Sequence, residues 1–170
     1  MRKCNKCKLE LDLTHFCVHK ASKDGINIYC KACIKKQYKV YSNTEHGYMT
    51  NLYRNLRRRV LQKRFENYSE QEKAKRRCYI TREEFFNLWE QHKKKYGYTC
   101  ALSGEFIYFV TGTTSESKTN NGISVDRLDP KIGYTLENTI FVSNKTNQMK
   151  CNVTKELCIA IIKAHEERNW

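Results

Sequence analysis

Two Cys-x-x-Cys pairs open the chain, Cys4-Asn-Lys-Cys7 and Cys30-Lys-Ala-Cys33, with 22 residues between them. No other feature limits so severely what the first 42 residues can become. A segment that short, with few aliphatic side chains, cannot bury enough surface to fold on its core alone. Two thiolates from one tight turn reach adjacent corners of a tetrahedron, and a second such turn supplies the other two. The spacing therefore predicts a Cys4 zinc ribbon over residues 1–42, with metal binding supplying much of its folding energy. His15, Cys17 and His19 lie inside the insert and are read as bystanders, because four cysteines already close the shell. A closed tetrathiolate has no open coordination position, so this zinc is expected to be structural.

Charge divides the chain. Of its 32 Lys and Arg, 24 fall in residues 1–98 against 10 of the 18 Asp and Glu, and the remaining residues are balanced. The whole net charge of +14 thus belongs to the front of the molecule. A field so polarised attracts a polyanion, and nucleic acid is the usual one. No apolar run approaches the roughly 18 residues needed to span a bilayer, and Met-Arg-Lys-Cys-Asn-Lys leads into no hydrophobic signal segment. The expectation is a protein of the reducing cytoplasm, where nine cysteines mean metal ligation or free thiols rather than disulfides.

Residues 43–98 read as a basic helical segment. Met49, Leu52, Leu56 and Val60 recur at helical spacing, while Arg54, Arg57, Arg58, Arg59, Lys63 and Arg64 cover the other faces. Such a helix suits phosphate contacts, and arginine dominates its densest run. Residues 66–80 read as a polar loop or exposed helical turn. Thr81-Arg-Glu-Glu84 fits a capping box, followed by Phe85, Leu88, Trp89 and His92 on one face, and the helix is expected to stop before Gly97. The neutral half continues with a β-prone run at Ile107–Thr111 and a Gly/Thr/Ser/Asn loop at 112–122. It ends in a helix capped by Thr154, with Leu157, Ile161 and Ala164 on one face.

The chemistry concentrates between Ser124 and Lys150. Ile123-Ser-Val125 predicts a strand that delivers Asp126 and Arg127 to its end. Asp129-Pro-Lys-Ile-Gly133 turns the chain, Thr139-Ile-Phe-Val142 returns it, and Ser143 caps a short helix over Asn144–Lys150. Asn147, one turn into that helix, can face the end of the first strand. A carboxylate and an amide oxygen make half an oxygen shell that substrate phosphate and water can complete, which suits Mg²⁺.

These residues carry a resemblance. Residues 98–150 resemble the ββα-metal core of HNH endonucleases, and Val-Asp-Arg…Gly-Tyr…Asn…Asn-x-x-Lys resembles the phage-encoded, homing-like branch. The Cys4 ribbon and basic helix ahead of it extend the likeness over most of the chain. The resemblance implies an α+β fold with domains at 1–42, 43–98 and 99–170, and Mg²⁺- or Mn²⁺-dependent hydrolysis of duplex DNA. It implies that Asp126 and Asn147 bind the catalytic metal and that Asn138 orients the loop. The position after Asp126 is normally the histidine base, and here it is Arg127. A guanidinium offers no lone pair and cannot take a proton from water. It can bind phosphate and stabilise the pentacovalent state. His92, His165, Tyr134 and Asp129 are other candidates for the base, none supported by spacing. The competing reading is a non-catalytic zinc-ribbon DNA-binding protein with a degenerate HNH core. Cys100, Cys151 and Cys158 allow a second zinc site, although buried free cysteine explains them more simply. The sequence leaves monomer and homodimer both open.

Overall fold

The computed structural model describes residues 1–58, 66–109, 121–151 and 153–167. Its fold is mixed α+β, in two compact units, Met1–Gly47 and Tyr48–Trp170.

In the first unit, β1 (Arg2–Lys3) pairs antiparallel with β2 (Glu10–Leu11). The turn between them holds Cys4 and Cys7. It is closed by Lys8 N donating to Cys4 O at 2.9 Å, with Lys8 at φ 63°. A short 3₁₀ turn (Leu13–His15), capped by the Asp12 carboxylate, leads into β3 (Phe16–Val18). This strand pairs antiparallel with β4 (Ile26–Cys30), Phe16 opposite Cys30. Helix α1 (Lys31–Ser42) begins on Cys30 as its N-cap. Asn5 N donates to Ile28 O at 3.0 Å and ties the first turn to β4. The core is small: Cys4, Phe16 and Cys30 are buried, with Leu11, Ile26, Tyr29 and Cys33 packed around them.

Helix α2 (Glu45–Arg58) runs into the second unit, where its Met49 and Leu56 are buried and Leu52 and Tyr53 pack beside them. Val60 and Phe65 lie outside the described residues. Residues 66–80 contain one short helix, α3 (Glu70–Ala74), with a Ser69–Glu72 capping box. Helix α4 (Arg82–Tyr96) has the Thr81–Glu84 capping box that its sequence predicts and ends at Gly97, whose φ of 62° suits glycine. Its buried face is Phe85, Trp89 and His92, the i, i+4, i+7 spacing of one stripe.

That stripe packs on a two-stranded antiparallel hairpin, β5 (Ile123–Arg127) and β6 (Thr139–Ser143), in the register Ile123↔Ser143 to Arg127↔Thr139. Phe141 sits among the α4 rings, 5.0 Å from Trp89 and 5.5 Å from Phe85 between centroids. Helix α5 (Asn144–Lys150) follows directly, its first turn capped by Ser143 Oγ accepting from Thr146 N at 3.0 Å. Of the β-prone run at 107–111, the described part makes one isolated bridge, Tyr108–Gly122, with Thr99–Phe106 just before it. Residues 110–120, and with them most of the expected 112–122 loop, lie outside the described residues. Helix α6 (Lys155–Glu167) closes the described chain, with Leu157 exposed. No helix among the described residues is long and apolar enough to cross a membrane.

Candidate functional site

The sulfur atoms of Cys4, Cys7, Cys30 and Cys33 all lie within 4.8 Å of one another and can hold a metal ion. Cys7 Sγ and Cys30 Sγ are 3.9 Å apart. Zn–S bonds of about 2.3 Å give a tetrahedron with edges of about 3.8 Å, so the donor set fits zinc in both chemistry and size. Backbone geometry favours thiolates here. Burial pushes Cys4 up, but N–H groups of Cys30, Cys7 and Lys6 outweigh it and bring the thiol down to about 6. Cys33 is instead pushed up to about 12 by burial and by its hydrogen bonds with Cys30, Cys7 and Cys4. Four thiols this close cannot all ionise without a cation among them. His15, Cys17 and His19 are exposed and outside this cluster.

In the second unit, strand alternation sorts the polar residues. Ile123 and Val125 enter the aromatic core, so Ser124 and Asp126 point to the opposite face. Helix α5 covers that face. Asn147 Nδ2 donates to Ser124 Oγ at 2.8 Å and to Val125 O at 3.4 Å. One turn on, Lys150 Nζ lies 3.0 Å from Asp126 Oδ2 and donates to Arg127 O at 2.8 Å. Asp126 is buried, and its Oδ2 has no aligned hydrogen-bond donor. The ammonium is within ion-pairing distance but approaches outside hydrogen-bond geometry. With the amide nitrogen of Asn147 engaged, its oxygen remains as a donor atom for a cation.

Asn138 is buried and holds the turn together. Its Nδ2 donates to the carbonyls of Asp129, Ile132 and Gly133 at 3.0, 3.3 and 2.9 Å, and its Oδ1 accepts from Asp129 N at 2.7 Å. Gly133 is needed on the other side of that turn. A Cβ there would lie 2.6 Å from the Tyr79 ring and 2.7 Å from Arg77 O. The turn also pairs with residues 77–79 through Tyr134 N to Arg77 O and Tyr79 N to Tyr134 O, both 2.9 Å.

Arg127 is anchored to this same framework. Its Nη1 donates to Lys75 O and, at 3.0 Å, to Pro130 O, and the guanidinium lies 5.4 Å from the Tyr134 ring centroid. Its Nε is buried without a partner. Of the other base candidates, His92 is stacked on Trp89 in the core, and its Nε2 must carry the proton it gives to Thr99 O at 2.9 Å. Burial lowers its pKa, and the Thr99 carbonyl only partly offsets this. Tyr134 is buried beneath Arg127. Asp129 Oδ1 accepts from Lys131 N at 2.7 Å, closing a local turn. The side chain of His165 lies outside the described residues.

On α2, Arg54, Arg57 and Arg58 are all exposed, and Arg57 Nη1 also donates to Cys78 O at 3.4 Å. Arg59, Lys63 and Arg64 lie outside the described residues. Cys100 is buried, while Cys151 and Cys158 are exposed. Burial pushes the Cys100 thiol up, yet hydrogen bonds from Ser103, Ser143 and Leu102 bring it down to about 7.

Ser124 was not signalled by the sequence, and Lys150, the last residue of the Asn-x-x-Lys run, had no role assigned to it. Ser124 orients Asn147, and Lys150 stands on Asp126. The signal for Lys150 was its i+3 spacing from Asn147, which places both on one helix face. Comparison with protein-family models, curated proteins and solved structures finds no match to this chain.

Proposed function

We propose that the chain is a metal-dependent endonuclease that hydrolyses phosphodiester bonds in double-stranded DNA, with an HNH-like core and a structural zinc on Cys4, Cys7, Cys30 and Cys33. One observation carries the reading. Among the described residues, the buried side-chain N and O atoms with no hydrogen-bond partner are Asp126 Oδ2 and Arg127 Nε. One is a carboxylate oxygen that suits a cation, and its neighbour in sequence is a guanidinium donor that suits an anion. A divalent cation carrying a phosphate matches both.

In this reading Asp126 and Asn147 Oδ1 would hold Mg²⁺ or Mn²⁺. When bound, such an ion neutralises charge on a nonbridging phosphate oxygen and on the leaving 3′ oxygen. The chain's own residues position these parts. Asn138 fixes the turn, Ser124 fixes the Asn147 amide, and Arg127 supplies fixed positive charge at the end of β5. Water attacks phosphorus as the bond to the 3′ oxygen breaks, and a proton ends on that oxygen. Arg127 cannot accept the proton from water, so solvent or a phosphate oxygen takes it. The excess of basic residues before residue 99 supplies attraction to the DNA backbone.

A second reading is favoured by Arg127 itself. With a guanidinium in the base position, the chain can be a zinc-bearing DNA-binding protein that does not cut. Supercoiled plasmid incubated with and without Mg²⁺ or Mn²⁺ separates the two. The nuclease reading requires metal-dependent relaxed or linear product that Asp126→Ala and Asn147→Ala abolish. Retarded but intact plasmid under every metal condition would favour the binding protein.

A further inference from the structure

The groups placed around Asp126 include one that the proposed reaction does not use. Lys150 ends α5, its side chain only 14 % exposed, and its ammonium lies 3.0 Å from Asp126 Oδ2, whose side chain is 9 % exposed. That oxygen is closed to solvent. The ammonium therefore sits where a metal ion has to arrive.

We propose that Lys150 is a displaceable counter-ion of the metal site. Its ammonium neutralises Asp126 until a divalent cation replaces it. The inference rests on reading Asp126 as a metal ligand. Burying a lone carboxylate is costly, so some cation must accompany Asp126 in the folded chain. An ammonium and a divalent ion repel strongly at the few ångströms that separate two neighbours of one carboxylate oxygen. Binding the metal thus requires Lys150 to leave. The structure gives it somewhere to go. Lys150 also lines a groove of about 900 Å³ whose wall includes Asp129 and Glu156, so an ammonium that leaves Asp126 enters a groove with other carboxylates in its wall. Met149 and Cys151, on either side of it in the chain, are exposed and do not pin it.

The consequence is metal affinity held down by competition. Mn²⁺ binding to the zinc-loaded full chain, followed by the electron paramagnetic resonance of free Mn²⁺, tests it without any cleavage assay. Lys150→Gln can still donate to Arg127 O but carries no charge, and should bind Mn²⁺ about ten-fold more tightly than the native chain. Lys150→Arg keeps the charge and should stay close to native. The gain should vanish when Lys150→Gln is combined with Asp126→Asn. Asp126-dependent binding that is unchanged or weaker in Lys150→Gln overturns the counter-ion role and leaves the metal site standing. Absence of Asp126-dependent binding in both native chain and Lys150→Gln overturns the metal site, and the counter-ion with it.

The native chain offers a second readout. Mass-spectrometric mapping of an amine-acylating reagent should show Lys150 labelled several-fold faster when Mn²⁺ or Mg²⁺ is added. Unchanged or slower labelling means that the lysine stays on Asp126, and refutes displacement.

Discussion

Replacing Cys30 by serine isolates the contribution of metal to the first unit. Cys30 is the N-cap of α1 but makes no side-chain capping bond. Serine is among the preferred N-cap residues, so Cys30→Ser leaves the helix start no worse and removes one thiolate. Burying Phe16 contributes about 1.5–3 kcal/mol, and the other buried members of that core are two of the ligands themselves. Structural zinc contributes about 10–16 kcal/mol in comparable small domains at pH 7. The metal term therefore exceeds the apolar term several-fold, and loss of one ligand should unfold residues 1–47. Amide hydrogen exchange is the assay. The amides of Cys4, Asn5 and Lys8, which donate to the Leu9, Ile28 and Cys4 carbonyls, should lose protection. Those of Ala101, Ile123 and Leu128 in the second unit should keep it.

Acidification should act in the same direction. Cys4 has a thiol lowered from 9.0 to about 6, so its contribution is complete above pH 9 and lost as pH falls through 6. Cys33, raised to about 12, contributes below pH 9 and is lost only as pH rises towards 12. Between pH 9 and 6 the Cys4 sign governs, and protons also compete with metal for every thiolate. Zinc release to a colorimetric indicator should rise as pH is lowered through 6. Protection of residues 1–47 that survives both Cys30→Ser and zinc extraction would refute the argument.

Three further outcomes test the second unit. Asn138→Ala deletes four hydrogen bonds to the 129–133 backbone and should cost about 3 kcal/mol in urea unfolding. Gly133→Ala forces a Cβ to within 2.8 Å of the Tyr79 ring and the Arg77 and Ala74 carbonyls, and should lower stability by about 2–3 kcal/mol in the same assay. Arg127→His removes the Nη1 bonds to Lys75 O and Pro130 O and the contact with Tyr134. It should destabilise by about 2 kcal/mol and lower any metal-dependent cleavage. Higher activity at native stability would mean that the position is a vacant base site and not an anchor.

What the sequence made legible follows from how local each signal is. The existence of β5 and β6 and the bounds of α5 could be read, with β5 two residues and β6 one residue longer than expected, because alternation, the turn residues and the Ser143 cap all lie within 28 residues of Ile123. The same holds for α4, whose capping box and terminal glycine frame its apolar stripe, and for the four-cysteine cluster, where tetrahedral chemistry bridges the 22-residue insert. His92 illustrates the limit of a residue-type argument. Its spacing from Phe85 and Trp89 places it on the core face, and there it is a donor to Thr99 O rather than a base.

The role of Arg127 was hidden for a different reason. Its anchor at Lys75 is 52 residues away, in a segment with no periodicity to announce that residues 77–79 would pair beside Tyr134. At the position that the proposed HNH-like core would give to the base, a guanidinium therefore reads two ways until that partner is known. Free to move, it is a phosphate ligand alone. Tied to two backbone carbonyls and stacked on a buried tyrosine, it fixes the turn that carries Asp129 and Gly133. Its buried Nε is the donor those ties leave unused. Under the proposed HNH-like reading, placing histidine at 127 therefore removes an anchor at the same time as it adds a base.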